Sequence, residues 1–324
     1  MNSFKAAVQI LSATIGVDCN HEELLPSLPP GIEVESMLTD FRQVKKIPYE
    51  TGLDGYISVD DKEVEPRCRF QNNTVLFRGP FIRLQKQASD ARFSLWGNQG
   101  FLYRYALYLL EKKHAIFNLH ACALTDEEGE ILYVIIGGAG SGKTVFLLSG
   151  LEKGLKLFST ETVHFQIKNH EIIWYMGSLV DNIRFGTLIH DFPGFLRGVN
   201  IPSPLEIWQR KIAVDLSDYK TAKKTIKNPR AVHILFPRVE RSFEKTVWNP
   251  LKDNRKAAKY LFDNITQKLA ETILMYDRLT VLGLDERKLA QSRLEAVYRL
   301  IDHRSIFQTV SVLSNPQGCW SRLL

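Results

Sequence analysis

Gly137-Gly138-Ala139-Gly140-Ser141-Gly142-Lys143-Thr144 fits the pattern G-x-x-x-x-G-K-[ST] at every fixed position. The run before it, Ile131-Leu132-Tyr133-Val134-Ile135-Ile136, is β-branched and aromatic and predicts a buried strand. The run after it, Val145-Phe146-Leu147-Leu148-Ser149-Gly150-Leu151, predicts the first turns of a helix. Strand, glycine-rich loop and helix are the context this pattern requires. Glycines let backbone N–H groups turn inward around phosphate oxygens, where a Cβ would block the approach. The new helix adds the positive end of its dipole. The expectation is a nucleoside triphosphate site cradled by Gly137, Gly138, Ala139, Gly140, Ser141, Gly142, Lys143 and Thr144. Lys143 is expected to neutralise the β- and γ-phosphates, and the Thr144 hydroxyl to ligate Mg²⁺.

Working outward, the 324 residues leave room for one large or two modest domains. A composition of 44% hydrophobic and 24% charged residues is that of a folded soluble chain, so a disordered or collagen-like class is excluded. The net charge of +6 is dispersed among acids, except for the denser stretch Lys220, Lys223, Lys224, Lys227 and Arg230, which reads as a solvated helix face or as an anion patch. Without interleaved aromatics it does not indicate nucleic acid. Cys19, Cys68, Cys122 and Cys319 form no CxxC pair, which argues against a zinc site or a disulfide framework and suits a reducing cytoplasm. No signal peptide is read at the N-terminus, and no apolar run reaches the roughly 20 residues of a membrane span. A cytoplasmic protein with no membrane contact is expected.

Apolar spacing over Ser3–Ile15 predicts a short helix, and Leu28-Pro29-Pro30-Gly31 breaks the chain beyond it. Short strands are then predicted at Gly55–Val59, Asn73–Phe77 and Phe93–Trp96, with turns at Asp60-Asp61 and Asn72-Asn73. Residues 1–98 are thus expected to form a small β-rich domain, and 99–324 a second one. The second opens with a helix over Phe101–Lys112 and a strand over Ile116–Leu124 carrying His120. Asp126-Glu127-Glu128-Gly129 is a tight turn, which makes this strand and the loop strand an antiparallel hairpin. After the loop helix come a short strand Lys156–Ser159 ending at Thr160-Glu161, and a hairpin Val163–Ile167 and Ile172–Tyr175 turning at Lys168-Asn169-His170. A strand Ala231–Phe236 is expected to stop at Pro237-Arg238, and helices to cover Arg255–Tyr276 and Glu286–Ile301. The fold class is α/β with a mixed sheet.

His120-Ala121, the loop, Lys153-Gly154 and Thr160-Glu161 together resemble the kinase domain of HPr kinase/phosphorylase and its relatives, which share a fold with phosphoenolpyruvate carboxykinase. That family has a His-Gly pair on a strand, a hairpin into the phosphate loop, a helix ending in an Arg/Lys-Gly step, and a strand closing on an Asp-Asp pair. The resemblance implies a P-loop kinase domain in which Glu161 stands for the acid that accepts the substrate proton, and His120 for the family's catalytic histidine. It departs at Thr160, which replaces the first Asp, and at Asn182 in Asn182-Ile183-Arg184-Phe185-Gly186, which stands where the family has a metal-binding Glu. Asp181 is the nearest stand-in, so the implied metal ligands are Thr144, Glu161 and Asp181.

Phosphoryl transfer itself asks for phosphate positioning, a divalent cation and a carboxylate near the nucleophile. Glu161 ends a strand expected beside the loop strand, where ligand groups of α/β sheets collect. Arg184 and Arg238 end strand-like runs and are candidate phosphate or substrate contacts. The leading expectation is a kinase using ATP and Mg²⁺, with Lys143, Glu161 and His120 catalytic. Its acceptor would be a hydroxyl, seryl by resemblance, on a peptide, protein or small molecule, and the resemblance admits a homo-oligomer. Two alternatives stand beside it: a nucleotide-hydrolysing switch, whose post-loop acidic strand has a match only in Leu279–Glu286, and a degenerate nucleotide-binding scaffold.

Overall fold

Phe4, Ala6, Val8 and Ile10 recur at every second residue, and this strand period prevails over the helical spacing of Phe4, Val8, Leu11 and Ile15. The computed structural model describes residues 3–26, 41, 43–169, 171–196, 202–302 and 307–320. In place of the helix expected over Ser3–Ile15 it has β1 (Phe4–Ile10) and β2 (Ala13–Cys19), an antiparallel hairpin. Leu11, at φ 52°, makes the turn. The break expected at Leu28–Gly31 and the His170 end of the later hairpin turn lie outside the described residues.

The chain forms two compact units, Met1–Phe117 with Thr266–Gln291, and Asn118–Ile265 with Ser292–Leu324. In the first, β3 (Val44–Ile47), β4 (Gly55–Asp61), β5 (Arg67–Gln71) and β6 (Thr74–Gly79) join β1 and β2 in a sheet of order β3-β1-β2-β4-β6-β5. Asp60-Asp61 therefore ends a strand rather than forming a turn, paired with Arg78 and Gly79. Two helices, α1 (Phe81–Gln87) and α2 (Phe101–His114), follow. The Phe77 and Phe101 rings meet edge to face at 4.7 Å, and the Tyr105 hydroxyl donates to the Asn73 carbonyl at 2.7 Å. Phe93–Trp96 is no strand. A short 3₁₀ turn, Ala91–Phe93, leads into bends there, and the Trp96 indole N–H donates to the Leu24 carbonyl at 3.0 Å.

In the second unit the hairpin into the glycine-rich loop is present as expected. β7 (Ile116–Thr125) and β8 (Ile131–Ile136) pair antiparallel, and the Asp126 carboxylate accepts the Glu130 and Ile131 N–H groups at 2.7 and 3.0 Å to close the turn. The loop leads into α3 (Lys143–Glu152), then β9 (Lys156–Ser159), β10 (Thr162–Lys168) and β11 (Glu171–Tyr175). β12 (Val180–Arg184) and β13 (Lys211–Asp215) pair antiparallel as a separate two-stranded sheet, with α4 (Phe185–Asp191) between them in the chain. After β14 (Thr225–Lys227) come β15 (Ala231–Val239), β16 (Val247–Pro250) and α5 (Asn254–Ala270). The lysine-rich stretch from Lys220 to Arg230 is exposed loop and edge strand, not a helix face.

The helix expected to reach Tyr276 ends at Ala270, because Ile273–Met275 (β17) and Leu279–Val281 (β18) form a hairpin instead. The Leu279–Glu286 match to an acidic strand thus belongs to the first unit, outside the sheet that carries the glycine-rich loop. α6 (Arg287–Asp302) and β19 (Phe307–Ser314) complete the named elements. The large sheet runs β14-β11-β10-β7-β8-β15-β19-β16, with β9 attached to β7. β9 therefore does not flank the loop strand. β8 lies between antiparallel β7 and parallel β15.

β15 runs through Pro237-Arg238, where it was expected to stop. Its pairing with β8 ends at Leu235, while that with β19 continues to Val239. Alternate N–H groups along a strand point to the same side, and the Val239 N–H donates to Ser141 on the loop side. Pro237 thus turns its missing donor toward the side that β8 has already left, so no ladder bond is lost.

Trp320 closes the core behind the loop helix. It is fully buried, its indole N–H donates to the Phe146 carbonyl at 2.9 Å, and its ring meets Tyr133 and Phe146 edge to face at 5.2 and 5.5 Å. Trp320→Ala is expected to cost about 3–5 kcal/mol, the range for emptying a large aromatic site. Urea denaturation would read this as a lower midpoint at an unchanged slope.

Candidate functional site

The loop leaves the end of β8 and is held against the end of β15. The Ser141 carbonyl accepts the Val239 N–H at 3.1 Å, and Gly142 enters α3 at φ 97°. A Cβ on Gly142 would lie 2.6 Å from the Val239 Cβ and closer still to its Cγ2, so only glycine lets the loop cross β15 here. At Gly138 and Gly140 an added Cβ would meet nothing within 4 Å, so these two positions face open space. Gly142→Ala combines left-handed strain with this clash. It is expected to cost about 2–4 kcal/mol by chemical denaturation and to abolish nucleotide binding by calorimetry.

Lys143 folds back so that its ammonium donates to the Gly137 carbonyl at 2.6 Å, which places the charge across the mouth of the loop. The neighbouring Thr144 hydroxyl donates to Asp181 Oδ2 at 3.2 Å. Asp181 comes from β12 and is 5% exposed. Its carboxyl is pushed up to about 6, first by burial and second by the negative charge of Glu161, against the Thr144 hydrogen bond, the Asn182 backbone and the Lys211 charge. A buried acid with a second acid acting on it and no ion pair among the described residues suits a cation. The donors are all oxygen, as a hard divalent ion prefers. Among the described residues no group of three or more His, Cys, Asp or Glu gathers as a metal site. Phosphate oxygens and water are the further ligands that Mg²⁺ takes in such sites.

Glu161 is half-buried between β9 and β10. The residue before it sets its place. The buried Thr160 N–H donates to the Ser178 carbonyl at 2.8 Å and its hydroxyl to the Val180 carbonyl at 2.7 Å, which ties the end of β9 to the start of β12. The Cys122 thiol of β7 donates to the Thr160 carbonyl at 2.9 Å. Thr160, where the resembled family has a charge, works here as a clamp.

No protein-family model and no curated protein matches the chain. Among solved structures, it is similar to the Hpr(Ser) kinase/phosphatase from Coxiella burnetii. The identity is 15%, over 58% of this chain and 90% of that one, with a TM-score of 0.22.

The other expected residues lie at varying removes. His120 is half-buried on β7, one position beyond the Ala121–Ile136 pair and so beside the start of the loop, and its carbonyl accepts the Asn264 side-chain N–H at 3.0 Å. Arg184 is exposed at the end of β12, opposite Lys211. Arg238 is exposed and pairs with Glu240 at 2.6 Å. Lys211 and Cys122 have no part in the sequence expectations for the site. For Lys211 the available signal was the strand alternation of Lys211-Ile212-Ala213-Val214-Asp215. Cys122, buried and surrounded by the charges of Asp181, Lys143 and Glu161, carried no local signal.

Proposed function

We propose that the chain is an ATP- and Mg²⁺-dependent kinase that transfers the γ-phosphoryl group to a hydroxyl of a peptide, protein or small molecule. The observation that carries this reading is the Thr144–Asp181 contact at 3.2 Å, made on a glycine-rich loop whose lysine spans its own mouth. Thr144 and Asp181 would hold the cation, which when bound neutralises charge on the β- and γ-phosphates. Lys143 exchanges the Gly137 carbonyl for phosphate oxygen and stabilises negative charge as the phosphoryl group departs. Glu161, whose charge acts on Asp181, accepts the proton of the acceptor hydroxyl. Two acids of unequal burial support a division of labour, the deeper for the cation and the shallower for the proton.

The test is transfer of label from γ-labelled ATP with Mg²⁺ into cell extract resolved into small molecules, peptides and proteins. Label is expected in one fraction and lost in Lys143→Ala and Glu161→Ala. Label found only as inorganic phosphate, with Glu161→Ala unaffected, would replace the kinase reading with that of a nucleotide-hydrolysing switch.

A further inference from the structure

Within the first unit, Arg104 of α2 meets the chain at Lys268–Glu271, where α5 ends. Its Nη1 donates to the Lys268 and Glu271 carbonyls at 2.8 and 2.7 Å, groups that a helix end leaves without an intrahelical partner. The rest of the guanidinium is poorly served. Arg104 is 7% exposed, yet Nη2 reaches Glu271 Oε2 only at 3.4 Å, and Nε is buried with no hydrogen-bond partner among the described residues. Burial lowers the pKa of this guanidinium, and the charge of Glu271 offsets that only in part. Arg104 lines a cavity of about 420 Å³, together with Lys268, Glu271 and Asp277. The two acids are exposed, whereas Lys268 is half-buried. Phe93 and Tyr103 on one part of the chain, and Ile273 and Leu274 of β17 on another, give it apolar walls.

We propose that this cavity binds a free α-amino acid with a large apolar side chain, its carboxylate on Arg104 and its ammonium on Glu271. The inference stands apart from the phosphotransfer reading and concerns the other unit. Nε and Nη2 lie along one edge of the planar guanidinium, the fork that takes a carboxylate through two parallel hydrogen bonds. A carboxylate there gives the buried Nε its acceptor and supplies at short range the counter-charge that Glu271 supplies at long range. Alone, that carboxylate would be repelled by Glu271 beside the same fork. An ammonium separated from it only by the α-carbon turns the repulsion into attraction, and its donors suit carboxylate oxygens. Lys268 adds a second cation and Asp277 a second acid, so the cavity offers both signs, as a zwitterion requires. The apolar side chain displaces water from the Phe93, Tyr103, Ile273 and Leu274 walls. A residue inside a polypeptide carries neither main-chain charge, and a chain terminus carries one of them. The ligand is therefore a free amino acid.

The test uses the full chain with isoleucine and leucine methyls labelled. It is titrated with L-phenylalanine, with 3-phenylpropionate, which lacks the ammonium, and with phenethylamine, which lacks the carboxylate. Phenylalanine is expected to shift the Ile273 and Leu274 methyls saturably, at a concentration at least about tenfold below that needed for either truncated probe. Glu271→Gln keeps an oxygen for the Gln267 side-chain N–H and removes the charge. It is expected to weaken phenylalanine at least about tenfold and to leave phenylpropionate as tight or tighter. Arg104→Gln is expected to abolish the response to phenylalanine; where loss of its backbone contacts unfolds that variant, the Glu271→Gln comparison decides. The absence of a saturable shift at Ile273 and Leu274 overturns the assignment. So does phenylpropionate or phenethylamine binding as tightly as phenylalanine. Neither nucleotide nor phosphoryl transfer enters this readout, so its failure leaves the kinase reading untouched.

Discussion

Asp181→Asn is expected to make the protein more stable and inactive at once. The carboxyl titrates at about 6 in the folded chain, above its ordinary value, because burial and Glu161 oppose its charge. Between roughly pH 4 and 6 the folded state holds a proton that the unfolded chain has released. The Asp181 contribution to stability is thus fully present below pH 4 and is lost as pH rises through 6. Above that the deficit levels off at about 3 kcal/mol, the equivalent of a shift of about two units. Asparagine keeps an oxygen for the Thr144 hydroxyl and removes the charge. Melts of the unliganded proteins should coincide near pH 4 and separate by about 5–10 °C at pH 8, with the variant higher. The same variant should lose Mg²⁺-dependent nucleotide affinity at least about tenfold and transfer at least about a hundredfold. A variant that melts lower than wild type at pH 8 would mean that the charge of Asp181 is compensated within the folded chain.

Lys143→Ala is expected to have the larger effect on chemistry. The ammonium meets the carbonyl of Gly137 and is the only side-chain cation that the loop itself contributes. Removing it takes away charge stabilisation where charge develops, for a loss of about a thousandfold in kcat, or about 4 kcal/mol. The folded state loses one charge-assisted hydrogen bond at a half-exposed position, worth about 1 kcal/mol, so the melting temperature should fall by only a few degrees. Steady-state kinetics beside a melt separates the two. Transfer within tenfold of wild type would remove Lys143 from the catalytic role.

Legibility in the sequence tracked contact range. β8, the loop and α3 are contiguous, and their glycines, strand residues and apolar run agree with one another. The β7–β8 hairpin was equally readable, since Asp126 and Gly129 close its turn locally. Elements settled by distant partners were not. In β19, Phe307, Val310 and Val312 are buried, a change of phase after the first residue that blurs the period-two signal. Pro237 reads as a strand end, and only the departure of β8 makes it tolerable within β15. The approach of Asp181 to Thr144 depends on β12 returning from outside the main sheet, which no local pattern encodes, and only the family resemblance pointed to that region. Ser3–Ile15 satisfied two periods at once, and pairing with its neighbours decided between them.

β8 has neighbours of two kinds in time as well as in space. β7 reaches it across one tight turn, a closure on the scale of microseconds. β15 begins only at Ala231, so that pairing must first overcome the entropy of a long closure. The loop strand is therefore anchored on one flank before the other flank exists, while the loop it carries leans on the late arrival through Val239 and Ser141. In refolding, the amides of β7 and β8 should gain protection first. Competence to hold nucleotide should come only when β15 docks, which makes binding a marker of the last step of assembly.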